Sequence, residues 1–449
     1  MNIPINVANY RKYIALHPNS VDGWRGLGHL LSREGSTNSA ASAMRRAFSI
    51  DHDESDLINC AVFASIKENF SDNEYYTEND AVIYEKSAIQ TEIALTLNPS
   101  KSSFYHALGV FLRNLGDFSS SERVIRRGLL IDPSDRNLKE ALSYAMMSRL
   151  DYRSGLYLFE ERLSHPKCTV LGLADYIWNG CSIKYGSLFI WKEGGFGDVF
   201  QMLRYLPAIS RRCVRVIIHC DPKISKIVSG SIGYGRVEIN PDDRSDISRV
   251  VSFLSLPFVF GTEIETIPSN IPYIFADKIL SAQWGERMQY VRGFRVGVSW
   301  HTDTDPTRRF PLSSLSPVAS VPGVSLVALQ KGAALAEAAS LDWEASLTIF
   351  PEMDEGDHAF MDTAAIIDNL DLVLTNDTSV AHLAGAMGAP VWLCVGKSPD
   401  WRWGETGAST PWYPTMRIFR AKHLWRWDDV FRDVAKEIAV LVGRNSERE

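Results

Sequence analysis

The run Asn376-Asp377-Thr378-Ser379-Val380-Ala381-His382 stands where an apolar segment, Leu372-Val373-Leu374, gives way to a helical pattern from Ser379 to Met387. A helix that starts there offers unpaired amide N–H groups and the positive end of its dipole, which together suit a diphosphate. Thr378 and Ser379 add hydroxyl donors, and His382, four residues after Thr378, shares its helix face. Asp377 would repel a pyrophosphate, so its expected role is to cap the helix or hold the turn. An ordinary N-capped helix with a buried histidine has the same spacing, and the run alone does not separate the two.

Other groups could join such a site. Gly194-Gly195-Phe196-Gly197-Asp198 follows the apolar run Leu188-Phe189-Ile190-Trp191, and Gly195 and Gly197 shape the turn. Phe200 stands where the third glycine of a dinucleotide fingerprint belongs, which disfavours that cofactor. Asp198 either faces a cleft or caps the helical stretch Val199 to Ser210. Arg308 and Arg309 offer guanidinium forks for phosphate oxygens, or form a solvated pair. Gln330 and Lys331 follow a strand end, where a nucleotide could meet them. Trp401, Trp403, Trp412 and Tyr413 either stack on a ligand or fill a core between lobes. Asp303-Thr304-Asp305 reads as a polar loop, and the six cysteines, with no C-x-x-C pair, read as free thiols.

The elements that position these residues fall into two kinds. Trp24-x-x-Leu27-Gly28-x-x-Leu31 followed by Ala40, Met44 and Ala47 has tetratricopeptide (TPR) spacing. It recurs as Tyr105-x-x-Leu108-Gly109-x-x-Leu112 with Ile125, Gly128 and Pro133, and Pro99 and Pro133 lie 34 residues apart. Leu142 and Phe159 extend a third unit, and the insert Asn69 to Asp80 stretches a degenerate copy between the first two. From Gly186 onward short apolar strands alternate with helical patterns, which predicts parallel sheets covered on both faces. The expected domains are a helical repeat at 1–165, one Rossmann-like lobe at 185–290 and a second at 293–445. The tail Trp427 to Val442 carries an amphipathic pattern and reads as a structural helix.

Composition narrows the functional classes. A net charge of −7 disfavours a nucleic-acid binder, and no apolar run is long enough for a membrane span. With no signal peptide pattern at Met1-Asn2-Ile3-Pro4, a cytoplasmic location is expected.

The run Asn376 to Val391 resembles the donor-site motif of heptosyltransferase-type family 9 glycosyltransferases, and still more that of their bacterial TPR-fused relatives. Gly194 to Asp198, Ser255-Leu256-Pro257, Leu329-Gln330-Lys331-Gly332, Pro399-Asp400-Trp401-Arg402-Trp403 and Pro411-Trp412-Tyr413-Pro414 match the same pattern in order. The resemblance implies a two-lobed GT-B fold and a metal-independent, inverting transfer from a nucleotide-diphosphate sugar, with no cofactor. It implies Asp198 as base, Arg308, Thr378, Ser379 and His382 at the donor diphosphate, and Gln330 and Lys331 at the nucleotide. A protein or glycan acceptor, selected partly by the TPR array, is the expected partner, and a homo-oligomer is compatible with the sequence. A TPR adaptor carrying an inactive GT-B module is the alternative, and a nucleotide-sugar epimerase is a third option.

Overall fold

The computed structural model describes residues 7–33, 37–51, 78–164, 176–231, 237–243, 245–341, 343, 347–356 and 358–446. Residues 69–77 of the insert, His52, Cys60 and Cys168 lie outside them. The chain divides into two compact units, Met1–Met146 and Met147–Glu449. Among the described residues no helix is long and apolar enough to cross a membrane.

The first unit is helical: α1 (Val7–Leu16), α2 (Val21–Arg33), α3 (Thr37–Asp51), α4 (Glu78–Leu97), α5 (Ser102–Asn114), α6 (Phe118–Ile131) and α7 (Arg136–Ser148), whose last turn crosses the unit boundary. The small residues of the repeat sit where helices cross. A Cβ on Gly28 would stand 2.9 Å from Met44 Cε, and one on Gly109 would stand 2.5 Å from Ile125 Cγ1. Ile14, Leu27, Leu31, Ala40 and Met44 form the core of the first helices, and no single pair covers it alone.

The second unit begins with α8 (Tyr152–Phe159). Just beyond that helix, Arg162 is held to the first lobe by Glu193 (2.9 Å) and Ser255 Oγ (2.8 Å). That lobe has strands β1 (Ser187–Trp191), β2 (Val216–His219), β3 (Val237–Ile239) and β4 (Ile247–Ser252), all parallel, in the order β3-β2-β1-β4. Helices α9 (Phe196–Met202) and α10 (Pro222–Gly230) follow β1 and β2. The single helix expected over Val199 to Ser210 is instead α9, a 3₁₀ turn at Leu203–Tyr205 and a short helix at Leu206–Ser210. Pro207 explains the break: lacking an N–H, it fits only near a helix start.

The second lobe is entered through α11 (Lys278–Arg287). It contains β5 (Phe294–Ser299), β6 (Val324–Ala328), β7 (Leu347–Thr348), α12 (Met361–Ile367), β8 (Leu372–Thr375), α13 (Ser379–Met387), β9 (Val391–Val395), β10 (Met416–Arg420) and α14 (Asp428–Ser446). Its sheet, again wholly parallel, runs β10-β9-β8-β5-β6-β7. The fold is thus a helical repeat followed by two Rossmann-like lobes. The apolar face of α14 packs on the second lobe: Phe431, Val434 and Ile438 share a core with Val296, Leu326, Phe310 and Leu315.

The crossing at Gly109 can be tested. Gly109→Val should destabilise the helical unit by about 1–3 kcal/mol through overpacking against Ile125, read as a lowered denaturation midpoint. A midpoint equal to wild type would show that the two helices are not in close contact there.

Candidate functional site

Strand order places two turns. In the first lobe β1 is flanked by β2 and β4, and in the second β5 is flanked by β6 and β8. The order in which successive strands are added to each sheet reverses at those points, and ligands of open parallel sheets bind there, beyond the carboxyl ends of the strands. The β1–α9 turn, Lys192 to Gly195, and the β8–α13 turn, Asn376 to Thr378, stand at the two switch points. The structure brings them together. A Cβ on Gly197 would come 2.6 Å from Cδ2 of His382, so α9 meets α13 where only a hydrogen fits.

Gly194 has φ 82°, a conformation that glycine adopts without strain. It leads into N-cap Gly195, whose N–H donates to Asp198 Oδ2 at 2.7 Å. Asp198 is therefore the third residue of α9 reaching back to the cap, not the cap itself. Its Oδ1 accepts from Arg402 of the second lobe at 2.5 Å, and its side chain stays 22% exposed.

Arg402 is buried and lies over the Trp401 ring, 4.4 Å from its centroid. Its Nε donates to Gln201 Oε1 (2.6 Å) and one terminal nitrogen to Asp400 Oδ1 (2.9 Å). Burial pushes the Asp400 carboxyl up, but Arg402 and Arg308 outweigh it and hold it below the usual range. Burial dominates at Asp377, raising its carboxyl even though Arg308 lies 3.1 Å away. Arg308 also meets Asp305 (3.0 Å) and Asp400 (3.6 Å). The guanidinium expected to face phosphates is thus surrounded by three carboxylates.

Thr378 is the N-cap of α13, with no side-chain capping bond, and Thr378 and Ser379 are half-buried. Asp377, one position earlier, pairs with Arg308 rather than capping the helix. Asn376 Nδ2 donates to the Arg308 carbonyl at 3.1 Å and ties the two loops. His382 turns into the interlobe core, with Nδ1 at 2.9 Å from the Tyr413 hydroxyl. Burial and then the Arg402 guanidinium push its pKa well down; Asp400 opposes them, and Arg204 and Arg308 add lesser downward effects.

The remaining candidates are engaged locally. Gln330 Oε1 accepts the His301 N–H at 3.0 Å, at the end of β5. Lys331 Nζ donates to the carbonyls of Met353 and Asp354. Arg309 Nε bonds the Thr302 carbonyl at 2.8 Å. Trp401, Trp403, Trp412 and Tyr413 are all buried, and Trp412 Nε1 donates to Tyr152 Oη at 2.9 Å, so this cluster belongs to the core.

The residues that sequence reasoning left without a role are Gln201, Arg204, Asp400 and Arg402. Arg204 mirrors Arg402. Carried by the first lobe, it donates to the Trp412 carbonyl of the second at 2.7 Å and lies 4.8 Å from the Tyr413 ring centroid. The signal was present in Asp400-Trp401-Arg402-Trp403, two opposite charges interleaved with two large aromatics.

No family model matches the chain. Among curated proteins it is similar to protein FlbA of Caulobacter vibrioides, 25% identical over 418 residues, covering 78% of this chain and 69% of that protein. Among solved structures it is similar to E. coli ADP-heptose lipopolysaccharide heptosyltransferase II, with TM-score 0.41, 11% identity, 58% of this chain and 99% of the other. It is also similar to a thermophilic TPR protein of Thermus thermophilus, with TM-score 0.30, 14% identity, 36% of this chain and 83% of the other.

The depressed pKa of His382 gives a pH signature. The unfolded imidazole protonates below its ordinary value of 6.5 while the buried one stays neutral. The unfolded state then binds more protons, so stability falls as pH drops through 6.5. This one group contributes up to roughly 1.4 kcal/mol per pH unit. His382→Gln should flatten the decline between pH 6.5 and 5 in denaturant unfolding; parallel curves would mean that the imidazole is not held neutral.

Proposed function

We propose that the α/β unit is a glycosyltransferase that moves a sugar from a nucleotide-diphosphate donor, without metal and with inversion, to a protein or glycan acceptor. The observation that carries this reading is the meeting of two switch-point turns, one with a carboxylate and the other with a helix N-terminus. In this scheme an acceptor hydroxyl attacks the anomeric carbon, and the carbon–oxygen bond to the diphosphate breaks. The nucleoside diphosphate leaves with the electron pair, and Asp198 takes the hydroxyl proton. Thr378, Ser379 and the first amides of α13 receive the diphosphate. Arg308 adds positive charge once a phosphate competes with its carboxylates. His382, neutral and buried, supports the turn from behind, and Gln330 and Lys331 shape the nucleotide side through their bonds to the chain. The helical repeat selects the acceptor.

One observation favours the adaptor reading: both the carboxylate and Arg308 are ion-paired within the protein. A thermal-shift panel of UDP, GDP, ADP, CMP and dTDP without metal separates the two. A donor site predicts stabilisation by one of them, about 2.7 kcal/mol at a hundredfold excess over its Kd. No shift with any nucleotide would support the adaptor. Asp198→Asn should retain that shift while transfer falls by about 100-fold or more; undiminished transfer would remove Asp198 as the base.

A further inference from the structure

We propose that Arg402 is a positioning residue that reaches across the lobe boundary to fix the carboxylate of Asp198, so that this group is in place only when the lobes are closed. The inference rests on the glycosyltransferase reading above and adds to it a residue and a coupling. Arg402 is preset by its own lobe. Asp400 Oδ1 accepts both the Arg402 backbone N–H (3.1 Å) and its guanidinium (2.9 Å), and the plane stacks on Trp401. The rest of the fork points into the first lobe, to Gln201 Oε1 at 2.6 Å and Asp198 Oδ1 at 2.5 Å.

Asp198 and Gln201 lie three residues apart on α9, so they share a face, and one planar fork reads both. Among the described residues of the first lobe, Asp198 is held through Oδ2, by the Gly195 N–H at 2.7 Å. One hydrogen bond leaves the carboxylate free to rotate about it; the second, from Arg402, defines its plane. Because that second bond comes from the other lobe, opening the cleft releases Asp198, and closing it restores the geometry. Arg204, which bonds the Trp412 carbonyl from the first lobe, holds the same boundary without touching Asp198. A general lobe fastener is therefore already present beside the more directed one.

The test compares wild type with Asp198→Asn, Arg402→Gln, Arg402→Lys and the double variant Asp198→Asn/Arg402→Gln. Hydrolysis of UDP-glucose, GDP-mannose, ADP-glucose and dTDP-glucose is followed, together with Kd for the matching nucleotide. Positioning predicts that Arg402→Gln lowers kcat by about 100-fold while KM and nucleotide Kd hold within about threefold. Arg402→Lys should recover part of the loss, and the double variant should be no slower than Asp198→Asn alone. Independent losses that multiply, or a loss confined to KM and Kd, would overturn the proposal and leave Arg402 as a fastener only.

Carbodiimide amidation of Asp198, read by mass spectrometry, needs no donor and covers the case in which none of the four sugars turns over. Asp198 should be protected in wild type, labelled at least several-fold faster in Arg402→Gln and intermediate in Arg402→Lys. Equal labelling in all three overturns the proposal. Absence of binding to every nucleotide would instead defeat the glycosyltransferase reading, and this inference with it.

Discussion

A guanidinium anchored in one lobe and satisfied in the other sets the geometry of the α/β unit. Taking a charge out of water costs several kcal/mol unless partners replace the lost hydration. Arg402 cannot find those partners within its own lobe: Asp400 supplies one, while Asp198 and Gln201 of α9 supply the others. Arg204 makes the reverse crossing, from the first lobe to the Trp412 carbonyl and the Tyr413 ring. Each lobe thus leaves a buried cation that the other completes. For both crossings to be made, α9 and α13 must approach until Gly197 touches the His382 ring, and no larger residue fits there.

The same constraint shapes the electrostatics of the cleft. Asp198, Asp305, Asp377 and Asp400 face Arg308 and Arg402, so the cluster holds more carboxylates than guanidiniums. In a poorly solvated site such charges act strongly on one another. Asp400, between two arginines, stays ionised more easily than a free carboxyl, whereas Asp377, more dependent on Arg308 alone, does not. The neutral state of His382 follows as well, since three guanidiniums and its own burial all oppose a further positive charge. On the proposed function, a phosphate arriving at the start of α13 would rearrange existing pairs and so couple its binding to the lobe geometry.

Much of the architecture was legible because it is written in short-range periodicity. The recurrence of Leu-Gly at Gly28 and Gly109 marked the helix crossings, since a small residue there is demanded by Met44 and Ile125 on the helix that follows in the chain. The strands β1, β5, β8 and β9 were visible as apolar runs because a parallel sheet buries both faces. Other elements were hidden for physical reasons. β3 has only three residues, and β10 closes the sheet edge with arginines at both Arg417 and Arg420. Pro207 carries a legible signal of its own, because its missing N–H interrupts the helix after Asp198.

By itself the sequence determined which turns end the central strands, that a glycine-rich loop precedes Asp198, and that a helix begins at Ser379. Those features depend on neighbours in the chain, through backbone hydrogen bonding and the spacing of apolar side chains. Only the tertiary structure decided that Asp198 meets Arg402, that Arg308 is enclosed by carboxylates and that His382 faces Tyr413. Apart from Arg308 and Asp305, which are neighbours in the chain, those pairs join residues far apart in sequence, and Asp198 and Arg402 are 204 positions apart. The partner of a buried charge is chosen by which surfaces the fold desolvates together, and no local pattern carries that information.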